Sequence, residues 1–226
     1  MINLIDMIKG THNSLTSYPL KGWQKLLTWL IQPWAQCQNK SLAEQYNKGV
    51  RLFDIQVSIP KDRYNIENIN YVASHGIAWY DTSRYCDSSL LEDLCCLDYW
   101  AEVYNEEIYI ILGLDNHFHL TDSNITPQMR IAFRQYVIEF QRKYPNLTLI
   151  RAFIEDPWEI IYEDHSITDN MIERYWSLNW VKSMKKHWWQ FYYYLPCPRL
   201  WKWIYGKQWD KEAEESGKRF YVTDFV

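Results

Sequence analysis

Residues 2–14 read INLIDMIKGTHNS, and this stretch contains the pattern on which the fold prediction depends. The apolar run at 2–8 predicts a short buried strand, which Gly10 ends. His12 and Asn13 then follow just beyond the carboxyl end of that strand. A second histidine, His75, has a matching context in the stretch YVASHG at 71–76. Two histidines at strand ends are suited to act together as a general base and a general acid.

Composition is that of an ordinary soluble globular protein. The chain has 226 residues, of which 47% are hydrophobic and 23% charged, and we expect a single domain over 1–226. A net charge of −4 without a basic stripe excludes nucleic acid as an expected partner. The 13 Trp and 18 Tyr exceed what a core of this size needs, so some are expected at a ligand or an interface.

Targeting and redox signals are weak. The sequence as written shows no signal peptide and no apolar run near the roughly 18 residues that cross a bilayer, so we expect a cytoplasmic protein unless a leader was removed. The five cysteines form no CxxC pair. Cys95 and Cys96 are adjacent in a helical pattern and are expected to be reduced core thiols.

Predicted strands alternate with predicted helices along the chain. Such alternation predicts an α/β fold with a parallel sheet, and the number of strands favours a closed barrel, which has its chemistry at the carboxyl ends of the strands. Apolar runs predict further strands at 50–57, 69–74, 108–114, 147–154 and 219–226. Apolar spacing and caps predict helices at 23–30, 41–49, 87–104, 126–143, 168–186 and 210–216.

Polar residues recur at these strands in positions that matter for chemistry. In the strand at 50–57, Asp54 and Gln56 alternate with apolar residues and so share one face. A carboxylate inside a barrel is unfavourable unless something binds it. Asp115 directly follows the strand at 108–114, and Asp224 lies in the last strand.

The motifs are specific when they are taken together. GTHNS at 10–14, SLAEQ at 41–45, GVRLFDI at 49–55 and SHG at 74–76 resemble, in order and spacing, the X domain of phosphatidylinositol-specific phospholipase C. The resemblance covers about residues 5–120, and VTDFV at 222–226 is a looser match to the last strand. It implies a TIM-type (β/α)8 barrel that is distorted or incompletely closed.

The resemblance also implies a reaction, cleavage of the glycerol–phosphate bond of an inositol phospholipid through a cyclic inositol phosphate. His12 matches the histidine that assists attack by the inositol 2-hydroxyl. His75 matches the histidine that protonates the departing glycerol oxygen. Asp224 could orient His12, or it could be a hydrogen-bonded residue of the strand end.

Two branches of that family hold the phosphate differently, and this sequence departs from both. The metal-independent branch has Asp after the first histidine and Arg two residues after the second-strand acid, where this chain has Asn13 and Gln56. The calcium-dependent branch matches better. We expect a weak Ca²⁺ site at Asn13, Asp54 and Asp115, with Gln56 as a further candidate, and no organic cofactor. Asn13 and Gln56 are also expected to contact the phosphate. The alternative is that Asp54 and Asp115 are strand-end carboxylates satisfied by hydrogen bonds.

The segment 185–205 mixes lysine and arginine with tryptophan and tyrosine. Such a mixture favours peripheral membrane contact, but it also fits aromatic packing that completes a short barrel. The expected substrate is a phospholipid or another phosphodiester. The competing hypotheses are a non-catalytic barrel that binds a phosphorylated lipid or sugar head group, which Gln56 supports, and a phosphodiesterase with another substrate. The motifs usual in glycerophosphodiester enzymes are missing.

Overall fold

The computed structural model describes residues 6–17, 19–20, 22–29, 35–58, 72–75, 78–80, 90–115, 125–155, 158–174 and 198–224. The strands in this part are β1 (Ile8–Thr11), β2 (Val50–Ser58), β3 (Val72–His75), β4 (Ala78–Tyr80), β5 (Ile108–Leu114), β6 (Leu147–Ile154), β7 (Glu159–Glu163), β8 (Met171–Arg174) and β9 (Phe220–Thr223). The helices are α1 (Leu42–Asn47), α2 (Leu90–Tyr104), α3 (Pro127–Lys143), α4 (His165–Thr168) and α5 (Pro198–Ser216), and Gly22–Leu27 forms a 3₁₀ helix. None of the helices described here has both the length and the apolar character needed to cross a membrane.

The strands form one mixed sheet in the order β7-β6-β5-β2-β1-β9-β8. The pairs from β6 to β8 along this order are parallel, and β7 is antiparallel to β6. The strands β3 and β4 form a hairpin whose first strand pairs antiparallel with β2. Among the described residues no strand pair joins β7 to β8, so the α/β barrel is incompletely closed. This confirms the expected α/β barrel with incomplete closure. The closed barrel that the number of strands favoured was wrong.

The sheet nevertheless curls on itself, as its side-chain contacts show. Strand pairing places Asp54, Ile111 and Arg151 in one row across β2, β5 and β6, on one face. A second row on that face runs from Leu52 to Glu173 on β8. Arg151 Nη1 donates to Glu173 Oε1 at 2.8 Å although several strands separate them in the order. Because only a curled sheet permits this contact, that shared face is the barrel interior.

Gly10 lies inside β1 and does not end it, which corrects the sequence-based boundary. A Cβ at this position would lie 2.9 Å from Val222 Cγ2 and 3.1 Å from Leu52 Cδ2. The absence of a side chain therefore lets β1 fit between β2 and β9 beneath the site. The predicted strand began at residue 2, but β1 begins at Ile8, and residues 2–5 lie outside the described set.

The helices on the outer face follow their predicted caps. Ser41 and Glu44 form the capping box of α1, and Thr126 caps α3, which begins with Pro127. The buried side of α2 includes Leu94 and Leu97, which pack with β5 in the main core. The adjacent thiols of α2 are exposed, so the prediction that they lie in the core was wrong. The exposed pair is Cys95 and Cys96.

Two predictions in the carboxyl-terminal third were also wrong. Residues 168–186 were expected to form a helix that Thr168 caps, but Thr168 ends α4 and Met171–Arg174 is strand β8. Pairing with β9 makes this segment a strand, because the backbone N–H and C=O groups of β8 then bond to those of β9. Local propensity does not include this pairing. Residues 175–186 lie outside the described part. Helix α5 begins at Pro198, twelve residues before the predicted start at 210.

Candidate active site

The chain reverses sharply after β1 and thereby places His12 at the carboxyl end of the sheet. The His12 backbone N–H donates to Thr223 O at 3.0 Å, and the Ser14 N–H donates to Asp54 O at 2.8 Å. Asn13 has φ +48°, a left-handed conformation that Asn tolerates better than most residues. The turn is therefore attached to both neighbouring strands, and His12 and Asn13 are buried between them.

His12 has a polar partner at each ring nitrogen. Its Nδ1 lies 2.9 Å from Asp224 Oδ1, and its Nε2 lies 2.9 Å from Asn13 Nδ2. Because an ionised carboxylate only accepts, Nδ1 carries the proton, and Nε2 accepts a hydrogen bond from the Asn13 amide. Asp54 Oδ2 lies 3.8 Å from Nε2. This arrangement leaves Nε2 as the nitrogen that can receive a proton from a reactant.

Burial and neighbouring charges shift the pKa values of His12 and Asp54. Burial lowers the pKa of His12, but the hydrogen bond and charge of Asp224, with the charge of Asp54, raise it above its ordinary value. For Asp54 burial dominates and raises the pKa to about 6, although the charge of His12 acts in the opposite direction. Perturbed titratable groups in a shared buried position are typical of functional sites.

Two buried oxygens beside His12 accept no hydrogen bond from any residue that the structure describes. They are Asn13 Oδ1 and Asp54 Oδ1. The residues are in direct contact, since the Asn13 backbone N–H lies 3.4 Å from Asp54 Oδ2. Buried polar atoms normally have partners, so this pair of oxygens suits a ligand that binds carboxylate and amide oxygens.

A glutamine that the sequence analysis missed holds the two strand ends together. Gln38 Nε2 donates to His12 O and to Thr223 O, each at 3.1 Å. The backbone N–H groups of Cys37 and Gln38 both donate to Thr16 Oγ1, at 3.0 and 2.8 Å. Burial raises the pKa of the Cys37 thiol well above its ordinary value, so a neutral thiol lies next to the imidazole. Nothing in the spacing of these residues indicates such contacts.

The remaining predicted site residues are placed less closely. His75 ends β3, whose Ala73 pairs with Val57 near the carboxyl end of β2, while its side chain lies outside the described set. Asp115 is buried after β5, and its N–H donates to Val57 O at 2.8 Å. It lies four residues beyond Ile111, the pairing partner of Asp54, or roughly 13 Å along the strand. Gln56 is half-buried opposite Gly113. The structure therefore brings together His12, Asn13, Asp54 and Asp224.

A polar cavity of about 260 Å³ opens along β8. Its lining residues are Arg151, Thr168, Met171, Ile172, Glu173 and Arg174. Arg151 is bound by Glu163 at 3.0 Å and Glu173 at 2.8 Å, and the charges of Arg151 and Glu173 both affect the pKa of Asp54. The cavity thus combines cations and anions with a buried hydroxyl, and Arg151 and Glu173 connect it electrostatically to Asp54. The sequence analysis missed Arg151 because a single arginine within an apolar strand carries no motif.

Large apolar side chains are exposed on the segment that follows the His12 turn. Leu26 is 82% exposed and Trp29 is 75% exposed, and the neighbouring Lys25 is exposed as well. In the segment 185–205, residues 185–197 lie outside the described part. Trp203, on α5, is 82% exposed.

Comparison with solved structures found a likeness to bacterial enzymes. A phosphatidylinositol-specific phospholipase C from Listeria monocytogenes is 14% identical, with a TM-score of 0.54, over 99% of this chain and 89% of that chain. A variant of the phosphatidylinositol-specific phospholipase C from Staphylococcus aureus is 23% identical, with a TM-score of 0.41, over 67% of this chain and 48% of that one. The chain thus spans about half the length of the Staphylococcus aureus protein.

Comparisons at the level of sequence add nothing to this. No protein-family model matches, and the search of curated proteins returned no match. At 14% identity the likeness to the Listeria monocytogenes structure shows the fold alone. On that ground, this chain has the α/β, incompletely closed barrel fold of a bacterial phosphatidylinositol-specific phospholipase C.

Proposed function

We propose that this protein is a phosphodiesterase of the phospholipase C kind, which cleaves the glycerol–phosphate bond of an inositol phospholipid. The observation that carries the proposal is the buried His12, whose Nδ1 is held by Asp224 at 2.9 Å while Nε2 faces Asn13 and Asp54. This is the geometry of a general base whose tautomer is set by a carboxylate. The shared fold and the sequence motifs support the same assignment.

In the proposed reaction His12 Nε2 removes the proton of the inositol 2-hydroxyl as that oxygen bonds to phosphorus. The bond from phosphorus to the glycerol oxygen breaks, and His75 donates a proton to that oxygen. The products are diacylglycerol and a cyclic inositol phosphate. The charge of Asp224 stabilises the imidazolium that forms on His12, since it lies against the protonated Nδ1. The role of His75 depends on the sequence resemblance.

A divalent cation fits the oxygen ligands beside His12. Asn13 Oδ1 and Asp54 Oδ1 are buried and accept no hydrogen bond from the described residues, and Ca²⁺ prefers such ligands. We propose that they hold Ca²⁺ weakly, with Gln56, on the same strand face as Asp54, as a further ligand. Asp115 lies too far along β5 to bind the same ion. The ion would supply positive charge to the phosphoryl oxygens. The neutral side chain of Gln56 does not provide this charge.

The cavity along β8 offers polar groups that suit a polyhydroxylated head group. Hydroxyl groups can donate to Glu173 and accept from Arg151 or Arg174, and all three residues line the cavity. Thr168 Oγ1 is buried there, without a hydrogen-bond partner among the described residues, and could bind a further hydroxyl. A sugar or inositol ring would fit a cavity of about 260 Å³ and could hydrogen-bond to several of these side chains at once.

A lipid substrate also requires contact with a membrane surface. Leu26 and Trp29 are almost fully exposed beside Lys25 on the segment after the site turn. Apolar and basic side chains that project together are typical of peripheral membrane contact. We propose this segment as a membrane contact, in addition to the one predicted at 185–205.

The test is turnover of phosphatidylinositol vesicles by the wild type, His12→Ala and the control His165→Ala, with Ca²⁺ and with EDTA. His165 is 75% exposed on α4 and serves as a matched surface histidine. We expect His12→Ala to lose on the order of a thousandfold in kcat, while the control retains its rate. Folding of each variant is checked by circular dichroism. Equal rates in the wild type and His12→Ala would contradict the proposal.

The same assay separates the second candidate, a non-catalytic barrel that binds a phosphorylated head group. Gln56 favours this candidate, because it supplies neither the cation of one branch nor the carboxylate of the other. It predicts no turnover by a folded wild type, together with saturable binding of a soluble inositol phosphate. Rates that persist in EDTA would contradict the calcium proposal alone and leave the histidine mechanism in place.

A further inference from the structure

Three metal-binding side chains meet beside the candidate base, and the proposed hydrolysis does not require all three. The imidazole of His12, the thiol of Cys37 and the carboxylate of Asp224 offer ligand atoms that all lie within 4.8 Å of one another. All three residues are buried. They come from the turn after β1, the segment before α1 and the end of β9, so tertiary structure alone brings them together.

This set of ligand atoms differs in kind from the oxygen pair proposed for Ca²⁺. Nitrogen, sulfur and one carboxylate oxygen suit Zn²⁺ and similar thiophilic ions, whereas Ca²⁺ and Mg²⁺ take oxygen ligands. Three protein ligands with a fourth position left for water or an anion are the usual arrangement of an open zinc site. At separations within 4.8 Å, the three ligand atoms are close enough to bind a single ion.

We propose that His12, Cys37 and Asp224 form a binding site for Zn²⁺ or another thiophilic divalent cation. On binding, the Cys37 sulfur forms a bond to the metal and its proton passes to solvent. The metal also replaces the hydrogen between His12 Nδ1 and Asp224, and the imidazole carries its proton on Nε2 instead. A thiolate and a carboxylate then balance the two positive charges. Other charged groups near the site are Asp54, 3.8 Å from His12 Nε2, and Lys202, which donates to Thr223 Oγ1 at 3.1 Å.

Asn13 lies beside this set of ligands. Its Nδ2 donates to His12 Nε2 at 2.9 Å and lies 3.8 Å from Cys37 Sγ, so it contacts the imidazole and one of the three ligand atoms. A metal held at Nδ1, the nitrogen that faces Asp224, leaves the imidazole proton on Nε2, so His12 can no longer accept a proton there. Zn²⁺ is therefore expected to inhibit turnover, a consequence that rests on the proposed function, whereas metal binding itself does not.

The test uses Co²⁺ as a spectroscopic probe for Zn²⁺. Titration of the wild type with Co²⁺ is expected to produce a sulfur-to-cobalt charge-transfer band in the near ultraviolet, which Zn²⁺ then removes by displacement. Cys37→Ser is expected to lose the band and to bind Zn²⁺ on the order of a hundredfold more weakly by calorimetry. Cys95→Ser, which removes an exposed thiol of α2, is the matched control and should retain the band.

A second variant protects the test against misfolding of Cys37→Ser. In it Cys86, Cys95, Cys96 and Cys197 are all replaced by Ser, so any charge-transfer band comes from Cys37. The proposal is overturned if the wild type shows no band at millimolar Co²⁺, or if the band persists in folded Cys37→Ser. The absorbance reports metal binding whether or not the protein hydrolyses a phospholipid. Failure of the proposed function and failure of the metal site can therefore be told apart.

Discussion

Replacing Asp54 with Asn should stabilise the fold at neutral pH, because burial makes ionisation of this carboxyl unfavourable. Its pKa is about 6 in the folded protein, against an ordinary value of 3.8. A difference of about two pH units corresponds to roughly 3 kcal/mol, at about 1.4 kcal/mol per unit. The wild type has its full stability from this group below pH 4 and loses it as the pH rises through 6. Asp54→Asn does not ionise and avoids that loss.

The assay is urea denaturation followed by tryptophan fluorescence, in EDTA so that no divalent cation binds. The free energy of unfolding of Asp54→Asn, minus that of the wild type, should be about 2 to 3 kcal/mol more favourable at about pH 7.5 than at about pH 4. Asp169→Asn, which removes an exposed carboxylate at the end of α4, measures the general effect of one fewer negative charge.

A pH-independent difference between Asp54→Asn and the wild type would refute the reasoning. It would mean that the ionised Asp54 carboxylate is stabilised in the folded protein by interactions other than those with His12 and the Asn13 N–H. If the proposed function holds, the stabilised variant should also lose turnover, because Asn at this position offers the cation a neutral oxygen only. Stability and activity would then change in opposite directions, as expected where a buried charge serves function.

Four further changes test other parts of the structure. Gln38→Ala should lower the free energy of unfolding by about 1 to 3 kcal/mol, measured in urea, because the His12 carbonyl loses the Gln38 donor and the Thr223 carbonyl keeps only the His12 N–H. Gly113→Ala should cost about 1 to 3 kcal/mol in the same assay, since its Cβ would lie 2.6 Å from Phe153 Cζ; an unchanged midpoint would contradict this close packing. Gln56→Arg should make turnover resistant to EDTA, whereas Gln56→Met should not. Trp29→Ala should weaken pelleting with phosphatidylinositol vesicles by roughly tenfold, and equal pelleting would exclude this membrane contact.

Local signals predicted helices α1, α2 and α3 and most of the parallel barrel strands. The capping box at Ser41 and the cap at Thr126 are formed by side-chain contacts within one helical turn, so neighbouring residues suffice to specify them. Strand β5 is buried along its whole length, as its continuous apolar run predicted. Arg51 forms an ion pair with Glu106 at 2.8 Å, near the start of β2.

Predictions failed where distant partners decide the structure. Strand β8 carries mixed residues that suit a helix equally well, and pairing with β9 determines that it is a strand. Strand β3 was expected as a parallel member of the barrel, but it runs antiparallel to β2 in a hairpin with β4. In each case the energy that decides comes from backbone pairing with another strand, which local patterns do not contain.

The sequence by itself determined strands β1, β2, β5, β6 and β9, the position of His12 at a strand end and the shared face of Asp54 and Gln56, because each depends on residues close in the chain. Tertiary structure alone decided that Asp224 lies 2.9 Å from His12, that Cys37 joins them and that Arg151 bridges to Glu173. These contacts join residues far apart in sequence. Their distances depend on how strongly the sheet curls, and that curl results from packing over the whole barrel.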